Sequence, residues 1–468
     1  MKVCRTFAEI LSPSVYRISL PLAAAILFGL AFAPLAGFSA VDETAGDKIV
    51  GYYVSWAAYA RRYTPRSIDP ARFTHLIYAF AKIEKGELTS GDSTVDAENF
   101  AELQVLRQRN SRLQILVAVG GWDGSADFSD VAASDFLRQR FAGSAVAFLR
   151  MHNFDGIDID WEYPVVGGKD GNTHRSADKD NFTRLLEVLR NALDAAGRED
   201  GRRYLLSMAA GASADAVGNL NLEAVSMLVD WVGLMSYDFS GAWSKRTGHN
   251  APLATDPNDP TPGAALNTVS AAVARYLAAG VPKRKLLLGL PLYGRVWRGC
   301  DSRNNGEYQI CDGPARGTWE DGVLDYQDIA HNYVTNPGFT RNINHAAMAP
   351  FLFQASSGRF ISYDDEESFL CKLAFLKDNG LAGVMLGKSV RIVRAPSSTW
   401  WQMNCESLTD ATDMAKVRTA IKRPLAYVFA RLGLPALPGR PSGHHHSPDA
   451  VSLLTRLYPL FTRITQPS

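Results

Sequence analysis

Residues 154–164 read FDGIDIDWEYP, and from Asp158 to Glu162 this stretch carries an acid at every second position. Alternate side chains of an extended chain share one face, so Asp158, Asp160 and Glu162 are predicted to lie together on one face of a strand. Stacked carboxylates repel, and burying them is costly unless they share protons or hydrogen bonds. The stretch therefore indicates a proton-handling site. The alternatives are a solvated edge strand and a calcium site, although a calcium loop would need turn residues between its ligands.

Short apolar or β-branched runs alternate along the chain with longer amphipathic stretches. This pattern predicts repeated strand–helix units around a parallel sheet. Eight runs fit the α/β class as a closed (β/α)₈ TIM barrel, whose chemistry lies at the carboxyl ends of its strands. The runs cover residues 49–54, 74–81, 114–119, 156–161, 204–209, 231–236, 285–290 and 382–386.

The interval between the seventh and eighth runs is longer than the others and holds alternating segments of its own, at 322–326 and 349–353. A plain loop of that length would be unusual in a compact domain. We therefore predict a first barrel part over 46–297, a small α+β insertion over 298–368 that forms one wall of a cleft, and a last barrel part over 369–386.

The amino terminus has the pattern of an export signal. Basic residues precede an apolar run over 18–36 and small residues follow it, so residues 1–45 are predicted to be a signal peptide and the mature protein to be secreted. The apolar run is also long enough for an uncleaved anchor, which would leave a periplasmic or membrane-anchored protein. A net charge of +1 without a long basic run argues against nucleic acid as a partner and leaves small neutral polymers.

Two cysteines bracket a short polar loop in the predicted insertion. In an oxidising compartment Cys300 and Cys311 would close that loop as a disulfide, which contributes about 3 kcal/mol of stability in the chain-entropy account. Two free thiols are the alternative. No His/Cys cluster has the spacing of a metal site, so neither metal nor cofactor is expected.

Three further motifs accompany the acid stretch in the chain. They are AVGGW at 118–122, MSYD at 235–238 and PLYGR at 291–295. Together the four motifs resemble the chitinases of glycoside hydrolase family 18, over roughly residues 48–386. The long interval before the eighth run is similar to the insertion that deepens the groove in one subgroup of these chitinases. The resemblance implies a TIM barrel, a chitin or chitooligosaccharide substrate and a monomer.

The resemblance also implies catalytic roles. Glu162 would be the general acid, with a pKa raised by the neighbouring carboxylates and partial burial. No protein nucleophile is expected, because these enzymes use the 2-acetamido oxygen of the substrate to attack the anomeric carbon, with retention of configuration. Asp160 would orient that acetamide and stabilise the cyclic intermediate, Asp158 would share a proton with Asp160, and Tyr237 would hydrogen-bond the acetamide oxygen.

Substrate binding is expected from the same mouth of the barrel. Flat aromatic faces fit the apolar faces of sugar rings, although a single such aromatic is more often a core residue. The resemblance implies that Asp238, Tyr293 and Arg295 hold the sugar at the cleavage subsite. The full set of substrate-binding candidates is Tyr53, Phe80, Gly121, Trp122, Tyr163, Met235, Asp238, Trp243, Tyr293 and Arg295.

The family pattern breaks after Leu386, where these chitinases place a Trp that forms the floor under the cleaved sugar and this chain has Gly387 and Lys388. One hypothesis is a slip of the reading frame: residues 387–390 can be encoded GGG AAA TCA GTC, and a preceding T gives TGG GAA ATC AGT, or Trp-Glu-Ile-Ser. Residues 387–468 would then be out-of-frame translation. The alternative is a divergent carboxyl-terminal extension with an amphipathic segment over 449–465.

Three functions follow from these expectations. The first is a secreted endochitinase that hydrolyses β-1,4-linked N-acetylglucosamine. The second is a chitin-binding, lectin-like protein with weak or no hydrolysis, on the ground that closure of the barrel at its carboxyl end is defective. The third is a related hydrolase acting on glycoprotein cores or peptidoglycan, which the groove-deepening insertion disfavours.

Overall fold

The computed structural model describes residues 48–387 of the 468-residue chain. The predicted signal or anchor over 1–45 lies outside the described residues, as does all of the predicted tail after Gly387. Within 48–387, no helix is both long enough and apolar enough to cross a membrane.

Eight parallel strands form a closed barrel, with one short antiparallel strand, β3, added beside the second of them. These strands are β1 (Lys48–Val54), β2 (His75–Glu84), β3 (Glu87–Thr89), β4 (Gln114–Gly120), β5 (Gly156–Asp160), β6 (Leu205–Gly211), β7 (Trp231–Met235), β8 (Leu286–Pro291) and β15 (Gly383–Gly387). The predicted TIM barrel is confirmed. Its strands are mostly buried and rich in apolar residues because each lies between the barrel interior and the surrounding helices.

The last strand is paired on both sides, along its whole length with β8 and from Gly383 to Leu386 with β1. β15 pairs in parallel with β8, from Gly383 opposite Leu287 to Gly387 opposite Pro291, and it pairs with β1 on its other side. The expectation that the missing Trp at 387 leaves the barrel defective at its carboxyl end is therefore wrong. Strand pairing uses backbone groups, so closure does not depend on the side chain at that position.

Helices cover the outside of the barrel, and short 3₁₀ turns supplement them. The α-helices are α1 (Asp96–Arg109), α2 (Gly121–Gly124), α3 (Phe128–Ala133), α4 (Asp135–His152), α5 (Asp178–Asp200), α6 (Ala214–Gly218), α7 (Leu222–Leu228), α8 (Val269–Ala278), α9 (Tyr326–Asp328) and α10 (Glu366–Asn379). A π-helical segment, Ile329–Val334, continues α9. The sequence marks both ends of α10: Asp365 and Ser368 form a capping box at its start, and Gly380 adopts a left-handed conformation after its end.

A second sheet lies in the chain between β8 and β15. Its antiparallel strands are β9 (Tyr293–Arg298), β10 (Gly313–Pro314), β11 (Val323–Asp325), β12 (Thr340–Asn344), β13 (Ala349–Gln354) and β14 (Arg359–Ser362). The sheet thus begins at Tyr293, whereas the sequence prediction placed the start of the insertion at 298. Only Leu292 separates β9 from β8, so no loop marks the change of sheet. Cys300 and Cys311 form a disulfide within this region.

Candidate active site

Asp158 is fully buried inside the barrel and accepts hydrogen bonds from side chains on two other strands. The Tyr52 hydroxyl on β1 donates to Oδ2 at 2.7 Å, and the Ser207 hydroxyl on β6 donates to Oδ1 at 2.6 Å. Burial raises the pKa of Asp158 to about 6, and these two hydrogen bonds act in the opposite direction because they favour the charged form. The carboxyl is therefore poised between its neutral and charged forms near physiological pH.

Asp160 lies two residues further along β5 and is also buried. Burial raises its pKa well above the usual value, and the charges of Glu162 and Asp158 raise it further. Its Oδ1 has no hydrogen-bond partner among residues 48–387. The environment of Asp160 therefore favours its protonated form, and Oδ1 is left to pair with a group outside the described residues.

Glu162 follows the end of β5 and is half-buried. Its backbone N–H donates to Ser125 Oγ at 2.9 Å, and its carbonyl accepts from Asn172 Nδ2 at 3.0 Å. The predicted alternation of Asp158, Asp160 and Glu162 therefore yields two buried acids at the end of the strand and one acid at its margin.

Tyr237 follows β7 and faces the three acids. Burial raises the pKa of this phenol far above its usual value, and the charges of Asp160, Asp238, Glu162 and Asp158 add to that rise, so it remains a neutral donor. The ring packs edge-on against Tyr293, with 6.0 Å between centroids. A Cβ atom built on Gly387 would lie 2.6 Å from the Tyr237 hydroxyl, so the tyrosine occupies the space beside that position.

Asp238 and Arg295 form an ion pair between the loop after β7 and the second sheet. Both Nε and Nη2 of Arg295 donate to Oδ1 of Asp238, at 2.9 and 2.5 Å. The guanidinium also lies 5.0 Å from the ring centroid of Trp243 and 5.4 Å from that of Tyr293. Asp238 has a positive φ of 61°, and its N–H donates to Oδ1 of the buried Asn250 at 3.1 Å.

Exposed aromatics surround these polar groups at the carboxyl ends of the strands. Trp122 on α2 is 52% exposed and Trp243 is 62% exposed, so flat faces remain open to a ligand. Phe80 stacks on Trp56 at 6.3 Å and fills the space above Gly121, where a Cβ atom would lie 2.7 Å from the phenyl ring.

Tyr163 follows Glu162 directly, and burial together with the charges of Glu162 and Asp160 raises the pKa of its phenol. Met235 ends β7 and packs partly buried against the barrel core. These two candidates therefore lie beside the acids and Tyr237, at the same end of the barrel.

Tyr53 is not brought to this site. Its side chain is 1% exposed, its hydroxyl donates to the Tyr63 carbonyl at 2.9 Å, and its ring stacks on Tyr78. Side chains alternate along β1, so Tyr53 packs outside the barrel while Tyr52 points inside and reaches Asp158. The residue pattern does not distinguish the two tyrosines, because β1 is buried on both faces.

The loop after β1 also contacts the second sheet, through Arg61, and this contact was not predicted. Arg61 donates from Nε and Nη2 to the two carboxylate oxygens of Asp325, at 3.1 and 3.2 Å. Its guanidinium lies 4.9 Å from the ring centroid of Trp319, which is itself half-exposed. This contact ties the loop after β1 to the second sheet.

The arrangement places Glu162, a half-buried acid that can deliver a proton, beside Asp160, a buried acid whose pKa is raised. Within the part of the chain that the structure describes, no group of His, Cys, Asp and Glu side chains is placed to hold a metal ion.

The chain is similar in sequence and in fold to known chitinases. The chain is 45% identical to chitinase A1 of Niallia circulans over 72% of this chain and 55% of that protein. It is 30% identical to endochitinase 1 of Metarhizium robertsii over 82% of this chain and 92% of that protein. The solved structure of chitinase ChiA74 from Bacillus thuringiensis superposes with a TM-score of 0.71 at 39% identity, over 74% of this chain and 66% of that one.

The chain thus spans about half the length of chitinase A1. The family described as Glycosyl hydrolases family 18 matches residues 48–386, which include both sheets, the acid stretch and the aromatic mouth. The chain belongs to glycosyl hydrolase family 18.

Proposed function

We propose that this protein hydrolyses the β-1,4 linkages of chitin and chitooligosaccharides with retention of configuration, using the substrate's acetamide as the attacking group. The observation that carries the proposal is Asp160, whose pKa is raised by burial and then by its two acid neighbours, and whose Oδ1 has no partner among the described residues. An acid of this kind is suited to hold an amide, since it can accept from the N–H and share a proton with Asp158.

The first step breaks the glycosidic bond. Glu162 gives its proton to the leaving glycosidic oxygen while the acetamide oxygen of the sugar bonds to the anomeric carbon, forming a cyclic oxazolinium ion. Asp160 accepts a hydrogen bond from the acetamide N–H, and the neutral Tyr237 phenol donates to the acetamide oxygen.

The second step opens the cyclic intermediate. Water attacks the anomeric carbon from the face that the leaving group vacated, and Glu162 takes up the proton that the water releases. The acetamide is regenerated, and the product keeps the configuration of the substrate. Two inversions at one carbon account for this retention without any covalent bond to the protein.

Substrate recognition would use the exposed aromatics and the Asp238–Arg295 pair. Trp122 and Trp243 present flat faces to successive sugar rings, whereas Arg295 and Asp238 bind the polar rim of the sugar at the cleavage point. The endochitinase name of one relative supports internal cleavage of the polymer. We further propose that the mature protein acts outside the cell as a monomer.

Hydrolysis of chitohexaose, followed by release of reducing ends and by NMR of the first-formed anomer, tests the proposal. Glu162→Gln should lower kcat by about 10²- to 10⁴-fold while leaving affinity for the oligomer nearly unchanged. Glu87→Gln, on the peripheral strand β3, is the control and should keep full activity. Unchanged turnover by Glu162→Gln would refute the assigned acid, and α-anomer as the first product would refute the mechanism.

Cellohexaose separates substrate assistance from ordinary acid catalysis, because it has the same linkage without acetamide groups. We expect no measurable cleavage of it. Binding of chitohexaose by the wild-type chain without any release of reducing ends would contradict the proposed activity altogether.

A further inference from the structure

The backbone of Glu162 is held by side chains rather than by the sheet. β5 ends at Asp160, and the last pair in its ladder with β4 is Gly120 opposite Asp160. Two side chains from separate loops take over beyond that point. Ser125 accepts from the Glu162 N–H at 2.9 Å, and Asn172 donates to the Glu162 carbonyl at 3.0 Å.

The Ser125 hydroxyl contacts three backbone groups in two segments, the start of α2 and the end of the acid stretch. Ser125 is fully buried, and its Oγ lies 2.8 Å from the Gly121 carbonyl and 3.2 Å from the Asp160 carbonyl as well as bonding to the Glu162 N–H. The turn that brings it there depends on Gly120, which has a φ of +107° and where a Cβ atom would lie 2.1 Å from the Asp160 carbonyl oxygen. The end of β4 is thus packed directly on the backbone of the acid stretch.

Asn172 lies in the loop between Glu162 and α5. The same loop presses Gly168 against the Glu162 carbonyl, since a Cβ atom on Gly168 would lie 2.0 Å from that oxygen. Lys169 pairs with Asp123 of α2 at 2.7 Å, which ties this loop to the helix that precedes Ser125. The two sides of the Glu162 backbone are therefore held by elements that also contact each other.

We propose that Ser125 and Asn172 are positioning residues that fix the direction in which Glu162 presents its proton, an inference that rests on the proposed function of Glu162 as the general acid. Holding the N–H and the carbonyl on either side of one Cα restricts both φ and ψ and hence the direction of the Cα–Cβ bond. Proton transfer requires the donor within hydrogen-bond reach of the leaving oxygen, so a loose backbone lowers the rate even when the carboxyl is intact.

The inference predicts a dependence on the leaving group. A sugar leaving group needs protonation as the bond breaks, whereas 4-nitrophenolate is a weak base and leaves with little help from an acid. A variant that misdirects Glu162 should therefore lose activity on a sugar leaving group and retain it on an aryl leaving group. A general loss of structure would lower both activities alike.

The test compares kcat/KM on chitotetraose and on 4-nitrophenyl chitobioside. Asn172→Asp and Asn172→Ala remove the donor at a partly exposed position, and Ser125→Ala removes the buried hydroxyl. We expect a loss of about 10- to 100-fold on chitotetraose and of less than about 3-fold on the aryl substrate. Ser129→Ala is the matched control: it removes another fully buried serine hydroxyl, one that bonds to Asp178 and not to Glu162.

Equal losses on the two substrates, or no loss for either Asn172 variant, would overturn the positioning role while leaving the proposed function standing. The Asn172 variants carry the test if Ser125→Ala does not fold. A wild-type chain that cleaves neither substrate would overturn the proposed function, and the positioning role with it. The inference would also be contradicted if Ser129→Ala lost as much more activity on chitotetraose than on the aryl substrate as Ser125→Ala does.

Discussion

The Tyr52 hydroxyl donates a 2.7 Å hydrogen bond to Oδ2 of Asp158 across the interior of the barrel, from β1 to β5. Ser207 supplies the second donor to the same carboxyl. Both hydrogen bonds favour the charged form of Asp158, while burial opposes it. The pKa of Asp158 therefore depends in part on two residues outside the four motifs that resemble the family.

Tyr52→Phe removes one of these donors. We expect the pKa of Asp158 to rise further, the acid limb of the kcat/KM profile to move to higher pH, and the free energy of unfolding to fall by about 1–3 kcal/mol. Tyr53→Phe is the matched control, because it loses a buried hydrogen bond to Tyr63 on the other face of β1. It should cost comparable stability and leave the pH profile in place. A pH profile that moves equally in both variants would contradict the assignment.

Asp158→Asn should change how stability depends on pH. The carboxyl has a pKa of about 6 in the folded protein, above the ordinary value of 3.8 for an aspartate, so the folded state binds the proton more tightly. Its contribution to stability is fully present below pH ~4 and is lost as the pH rises through 6, a loss of about 3 kcal/mol. Asp158→Asn cannot ionise, so its free energy of unfolding should rise relative to that of the wild type between pH ~4 and pH ~6 and should show no further relative change above that interval. Urea unfolding at several pH values measures the difference, and a pH-independent difference would contradict the shift.

Arg295→Lys keeps the positive charge but loses the paired donors to Asp238 and the stacking on Trp243. We expect kcat/KM for chitotetraose to fall by roughly 10-fold, mainly through KM, because a contact worth about 1.4 kcal/mol corresponds to that factor. Arg298→Lys, on the exposed end of the same strand, is the control and should be neutral. A fall in kcat alone would place Arg295 in the chemical step instead.

The disulfide between Cys300 and Cys311 should stabilise the second sheet. Cys311→Ser should lower the free energy of unfolding by about 3 kcal/mol, and adding reductant should lower that of the wild type by the same amount without affecting the variant. Cys371→Ser, which alters a cysteine outside the disulfide, is the control. A wild type that is insensitive to reductant would show that the bond contributes nothing.

The reading-frame hypothesis concerns the junction at Gly387. We expect resequencing of the gene to reveal one additional base before this codon, giving Trp-Glu-Ile-Ser, and the restored chain to have the higher kcat/KM on chitotetraose. Tyr237 would have to move in the restored chain, since a Cβ atom at 387 lies 2.6 Å from its hydroxyl in the present structure. An unaltered frame encoding Gly-Lys-Ser-Val would end the hypothesis.

The barrel could be predicted because buried parallel strands are continuous apolar runs with polar ends. The eighth run, predicted over 382–386, is the strand Gly383–Gly387, and the second run, predicted over 74–81, is the strand His75–Glu84. The acids could be predicted because their alternation has no simple packing explanation. The start of the second sheet could not, since Tyr293 follows β8 without a turn signal.

The supporting residues of the site had no detectable signal in the sequence. Ser125 and Asn172 are single polar residues in loops, and only the fold brings them to Glu162. The inward direction of Tyr52 was equally hidden, because its neighbour Tyr53 is just as buried and is of the same residue type. The acids of a motif can be recognised in the sequence, whereas the orientation of their side chains depends on contacts between residues far apart in sequence.

The strands of the second sheet that come first and last along the chain, β9 and β14, are paired with each other, with Arg295 opposite Ser362. The chain therefore enters and leaves this unit about one strand spacing, ~4.8 Å, apart. Excising the unit would leave a gap that a tight turn can span. A change in the length of this unit therefore need not alter the eight-stranded barrel that carries Asp158 and Asp160.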